Sequence, residues 1–369
     1  MEKKVIRILL MVCLVLTVVV GGCARSETSS PPEKPTPQTL LDFDGDGFSD
    51  WFEVNIAHYN PEISNDRYVI LYDRSYNEPN EDWTKLVLKP IYEFFVEKAK
   101  IPPEDIIELY YQEANGKNLR NAIDQIAQKS DENDIVFIRL SGHGGKTGVS
   151  GMEDWPWIEE AKRYSYHHLH QQLFQIKAKA VVITVMACES FFALPVLKEG
   201  TPPRIVFVNT AGEFVGALGK DPEYAEAVDR QYGNGNGYVS IGEIGKWLDN
   251  YLNWDLKWEE FIREAEENIE KKVGLWLDND PNWRTDWEKF REEKKHLDFM
   301  ECLIEYIKTV EVVEKPEKLT RQEFIEYIIN DMKSKEEEKR IFETNGNSVW
   351  TDSAGIAFQI YLTDYKIPD

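Results

Sequence analysis

The apolar run AVVITVM, beginning at Ala180, ends in Ala187, Cys188, Glu189 and Ser190, which puts a thiol beside a carboxylate at the tip of a buried segment. Earlier in the chain DIVFIRLSGHGG closes a second apolar run with His143 set among glycines. A thiol becomes a nucleophile near neutral pH only with a base or cation beside it, and imidazole is the usual base. The pair points to acyl transfer, with Cys188 attacking and His143 moving the proton. Glycines around His143 let backbone approach a substrate, and the N–H groups of Gly144 and Cys188 suit an oxyanion. Taken singly, Cys188 also fits a small buried hydrophobe and His143 a turn residue.

A second chemistry stands upstream. DFDGDGFSDWFE offers oxygens at Asp42, Asp44, Asp46, Asp50 and Glu53, with Gly47 at the sixth position and the Phe48 carbonyl at the seventh. A hard cation wants six to eight oxygens, and alternate residues of a tight loop converge on it only where glycine permits the turn. This is the spacing of an EF-hand-type Ca2+ loop, similar to those of dockerins and thrombospondin-type repeats, and the expected role is structural. YGNGNGYVSIGE repeats the register with Asn234, Asn236, Gly237, Ser240 and Glu243, but Tyr232 stands at its first position. The reading there is a glycine turn into a helix, with Ser240 and Glu243 forming a capping box.

These groups need elements to hold them. YVILYD, IIELYYQ, DIVFIRLSG, AVVITV and RIVFVN read as apolar strands, with helical periodicity between them. Asn118 is the expected cap of the helix NLRNAIDQIAQK. Continuous apolar strands alternating with helices imply a parallel sheet covered on both faces. Ligands bind outside the carboxyl ends of such strands, so SGHGG, ACES and NTAGE should share one rim. One crossover separates His143 from Cys188, which places them on neighbouring strands.

A strand ending in His-Gly and a later one ending in Ala-Cys resemble the caspase-fold cysteine peptidases, among them caspases, metacaspases, gingipains and legumains. SGHGG is similar to the metacaspase and gingipain histidine motif, and ACES is nearest to legumain, whose nucleophile is likewise followed by Glu and Ser. The resemblance covers about 67–253. It implies an α/β caspase-like three-layer sandwich with a mostly parallel sheet, Cys188 as nucleophile and His143 as acid/base. It also implies Glu189 in the primary specificity pocket, Arg74 as a basic residue past the first strand, and a pocket wall from NTAGE that includes Thr210 and Ala211. A preference for Asn or Asp before the scissile bond comes from the same source. The chain departs from legumain after CES, where Phe191 and Phe192 stand in place of Gly and Ser. The alternative from another class is a catalytically inactive, calcium-stabilised surface binding protein of the same fold.

The ends and the composition set the location. MEKKVIRILLMVCLVLTVVVGGC has a basic start, an apolar run and small residues before Cys23, the layout of a lipoprotein signal. An uncleaved single-span anchor is the other reading. The expected organisation is a signal over 1–22, a Pro/Ser/Thr-rich tether over 23–41, the calcium loop over 42–53, a peptidase domain over 66–253 and an acidic helical region over 254–369. Membrane attachment through lipidated Cys23 would leave the folded part outside the cytoplasm. With 66 acidic against 43 basic residues the formal charge is −23, which disfavours nucleic acid as a partner. A peptide or protein substrate is expected, and no organic cofactor. Cys188 and Cys302 are the thiols left to the folded part, too few for a disulfide framework. Cys302 lies in an apolar helical stretch and reads as core, whereas GIAFQIYLTDYK near the C-terminus reads as a strand that adds an edge to the sheet.

Overall fold

The computed structural model describes residues 41–149, 166–209, 213–251, 254–277, 282–295, 297–310 and 319–367. The signal, the tether as far as residue 40, Cys23, Thr210 and Ala211 lie outside the described residues. Among the described residues no helix is long and apolar enough to cross a membrane.

Each of the five apolar segments forms a strand. They are β1 (Arg67–Arg74), β2 (Ile106–Tyr110), β3 (Ile135–Gly142), then, past a two-residue hairpin of β4 (Gly144–Gly145) and β5 (Gly148–Val149), β6 (Ala180–Met186) and β7 (Arg204–Val208). A sixth, β8 (Trp350–Asp352), comes from the far end of the chain. The sheet order is β2-β1-β3-β6-β7-β8, parallel throughout except that β8 runs antiparallel along β7. The chain is therefore α/β with a mostly parallel six-stranded mixed sheet. Residues of β1, β3, β6 and β7 are buried on both alternating sets of side chains, so both sheet faces are covered.

Helix α1 (Gly116–Lys129) packs on β1 and β2 through Leu119, Ala122, Ile123 and Ile126. Its cap is Asn115, whose side chain accepts from the Asn118 amide at 2.9 Å, so the helix starts before the expected Asn118 cap. Helix α2 (Tyr166–Gln172) leads towards β6, and α3 (Ile241–Tyr251) follows the second glycine turn. The C-terminal helices are α4 (Trp254–Trp276), α5 (Trp283–Glu293), α6 (Phe299–Thr309) and α7 (Arg321–Thr344).

Two apolar cores result. The larger surrounds the sheet; the smaller gathers Ile269, Val273, Trp287, Cys302, Leu303, Ile307 and Ile328 between the C-terminal helices. Cys302 is core, as its apolar flanks suggest. Yet the C-terminal third does not stay apart, because Phe342, Val349, Ala357, Ile360 and Leu362 return to the larger core. Residues 41–369 make one compact unit. The edge strand also differs from expectation: it is Trp350–Asp352 and not GIAFQIYLTDYK. Asp352 accepts the amides of Ala354, Gly355 and Ala357, which turns the chain away from the sheet just where that segment begins.

Candidate functional site

The rim at the carboxyl ends of the strands is built by register. Ile135 pairs with Ala180 and Ser141 with Met186, the same sequence separation as His143 from Cys188, so β3 and β6 end level two residues before each of them. The sheet order reverses around β1, so the crevice outside β1 and β3 is the topological switch point where such sheets bind ligands. Arg74 closes β1 opposite Gly142, and its guanidinium donates to the Tyr111 carbonyl. Asp73 and Arg139 form a buried ion pair at 3.3 Å beneath this rim, and Asp73 also accepts from the Ser75 amide and the Trp83 indole.

The His-Gly and Ala-Cys loops touch. A Cβ built on Gly144 would stand 2.6 Å from both Ala187 Cβ and the Cys188 carbonyl oxygen, and one on Gly145 would stand 3.6 Å from Glu189 Oε2. His143 and Cys188 are both exposed on the rim, and Cys188 is a free thiol. Glu189 adopts a left-handed conformation, φ 57°, which turns the chain sharply after Cys188. Ser190 Oγ then donates to Asn209 Oδ1 at 2.9 Å and ties the ACES turn to the end of β7.

Helix α7 packs against the same turn. Ser334 Oγ donates to Glu189 Oε1, Phe342 meets Phe191 edge-on with centroids 5.7 Å apart, and Lys146 from the hairpin pairs with Glu337 at 3.3 Å. Glu338 is 1 % exposed and its carboxyl is pushed up to about 7, first by burial and also by Glu189, against the opposing pull of Lys335 and Lys146. Tyr166, at the start of α2, is 1 % exposed and its hydroxyl has no hydrogen-bond partner among the described residues. Ser334, Glu338 and Tyr166 were not indicated by the sequence, since nothing local to them marks their proximity to Cys188.

The acidic loop has the backbone its spacing suggests. Gly45 and Gly47 take φ of 78° and 88°, and Asp42 accepts both of their amides. Asp44 accepts from Asp46 N and Asp46 from Phe48 N, while Asp50 accepts from Phe43 N. Oxygens of Asp42, Asp44 and Asp46 lie within 4.8 Å of one another. Glu53 is wholly buried, and Asn65 donates to one of its oxygens; among the described residues Glu53 Oε2 and the buried Asp44 Oδ2 have no partner. Burial and the four loop aspartates push the Glu53 carboxyl up to about 8, and burial pushes Asp46 to about 6. The converging oxygens of Asp42, Asp44 and Asp46, with buried oxygens of Asp44 and Glu53 that have no partner among the described residues, are a donor set that would suit a hard cation. Arg67, buried under the loop, donates to the carbonyls of Asp46, Ala99 and Leu362 and so bolts it to β1 and to the C-terminal tail.

The second glycine stretch has the same pattern with a different first residue. Asp229 accepts from Asn236 N and Gly237 N, Asn234 from Asn236 N, and Asn236 from Tyr238 N. Ser240 and Glu243 form the expected capping box, and Asn234 N satisfies the other Glu243 oxygen. Every carboxylate oxygen of this turn is spent on its own amides, unlike Glu53. Phe52 and Tyr238 pack as tilted rings with centroids 5.0 Å apart and join the two turns. The histidines of HHLH hold no metal cluster among the described residues; His170 receives Arg204 Nη1 at 2.7 Å instead.

No protein-family model matches the chain, and no curated protein matches it. The site has to be read from its own geometry.

Proposed function

We propose that the chain is a calcium-stabilised, membrane-tethered extracytoplasmic cysteine endopeptidase of caspase-like fold, with Cys188 as nucleophile and His143 as acid/base. The observation that carries the reading is the level ending of β3 and β6 in loops that touch, one presenting an imidazole and the other an exposed thiol. In the proposed reaction the Cys188 thiolate adds to the scissile carbonyl, and the amides of Gly144 and Cys188 hold the oxyanion. His143 gives its proton to the leaving amine. Water, deprotonated by His143, then releases the acyl group from sulfur.

Calcium in the acidic loop would supply charge neutralisation for Asp42, Asp44, Asp46 and Glu53 and would not touch the substrate. Lipidation of Cys23 would hold the folded part at a membrane surface. In the proposed enzyme helix α7 stays in place as one side of the site, a reading supported by its contacts with Glu189, Phe191 and Lys146.

The test is incubation of the purified chain, with calcium, with a diverse peptide mixture, the fragments being identified by mass spectrometry. The expected result is cleavage by the wild type that vanishes in Cys188→Ala and His143→Ala. Cleavage that survives Cys188→Ala rejects the dyad, and a folded chain that cleaves nothing favours the surface binding protein.

A further inference from the structure

The turn after Cys188 ends in an anionic enclosure that the proposed reaction leaves unused. Glu189 presents its carboxylate over Gly145 of the hairpin, 3.6 Å from where a Cβ there would stand. Glu338, 1 % exposed, faces it from α7, and the two carboxylates act on each other electrostatically. The Tyr166 hydroxyl is buried with no hydrogen-bond partner among the described residues, and burial first, then the charges of Glu189 and Glu338, hold its proton on. A phenol oxygen in that position accepts a hydrogen bond as readily as it gives one.

A cation of the chain itself meets this ground, with Lys146 of the hairpin acting on Glu338 from further off. Lys335 Nζ lies 3.5 Å from Glu338 Oε1 with its side chain only 17 % exposed, and Ser334 Oγ meets Glu189. We propose that this enclosure is the primary specificity pocket and takes the cationic side chain of a Lys or Arg placed before the scissile bond, with Lys335 occupying the same anionic ground in the present structure. The inference rests on the peptidase reading, and it replaces the Asn or Asp preference that the legumain resemblance implies. Two carboxylates and a bare hydroxyl give an ammonium or guanidinium its acceptors. An Asn amide would leave a charge unanswered, and an Asp would add a third carboxylate.

The test uses the full chain with calcium and acyloxymethyl ketone peptides identical except for a terminal Lys, Arg, Asn, Asp or Leu, each rate of Cys188 modification being read by intact mass. Lys and Arg probes should react roughly tenfold or more faster than the other three, as expected where buried polar groups need a matching partner. Lys335→Met should raise the Lys and Arg rates, and Glu189→Gln should bring the Lys-to-Leu ratio close to one. Fastest reaction with the Asn or Asp probe, dependent on His143, overturns the pocket and leaves the peptidase standing. No modification of Cys188 by any probe in any variant overturns the peptidase and the pocket together.

Discussion

Gly144 has room for no side chain, because a Cβ would meet Ala187 and the Cys188 carbonyl at 2.6 Å. Gly144→Ala must push the His143 and Cys188 loops apart. Overpacking of this kind costs about 1–3 kcal/mol, and in the proposed reaction the displaced oxyanion donor should cost about 10²–10³ in kcat. Urea unfolding and peptide hydrolysis on the same variant will measure both. Under the rim, Arg139→Met alone leaves Asp73 buried without its cation and should cost about 3–5 kcal/mol, whereas Arg139→Met with Asp73→Asn should recover most of that loss in the same unfolding measurement. At this scale the sequence reveals His143 and Cys188, since the parallel register preserves their spacing. It conceals Tyr166, Ser334 and Glu338, because each reaches the Cys188 turn through long-range packing that no local pattern encodes. Asp229 was overlooked for a narrower reason: it stands three residues before the expected first position of the second glycine turn.

Helix α7 carries the pH dependence. Glu338 has an ordinary value of 4.5 and is raised to about 7 in the folded chain, mainly by burial, with Glu189 adding to the shift and Lys335 and Lys146 opposing it. A carboxyl raised in the folded state favours that state below its unfolded value. The contribution fades as pH rises from 4.5 and is gone above about 7. Once intrinsic exchange rates are divided out, residues 321–344 should therefore be less protected at pH 8 than at pH 5.5, by about 2 kcal/mol of opening free energy, and Glu338→Gln should flatten the difference. The five parallel strands were legible because doubly covered strands must be apolar throughout. The edge strand was not. GIAFQIYLTDYK has strand-like composition, but the amides taken by Asp352 bend the chain, and the shorter Trp350–Asp352 pairs with β7 instead.

Across the whole molecule the acidic loop, β1 and the C-terminal tail meet at Arg67. Calcium should stabilise the chain as a unit. For a millimolar site, free calcium at ten times Kd adds about 1.4 kcal/mol, a rise in Tm of about 2 °C for a chain of this size. Calorimetry with and without chelator will measure it, and Glu53→Gln should abolish the difference. Amphipathic helices in the C-terminal third were readable, but their division between two cores was not, because periodicity gives a helix its apolar face without naming what covers it. The most direct single measurement is peptide mapping of the calcium-loaded chain after reaction with a peptidyl acyloxymethyl ketone. One adduct on Cys188, absent in His143→Ala with the fold intact, is the expected finding. An adduct elsewhere, or equal reaction without His143, would remove the dyad and the acyl-transfer chemistry with it.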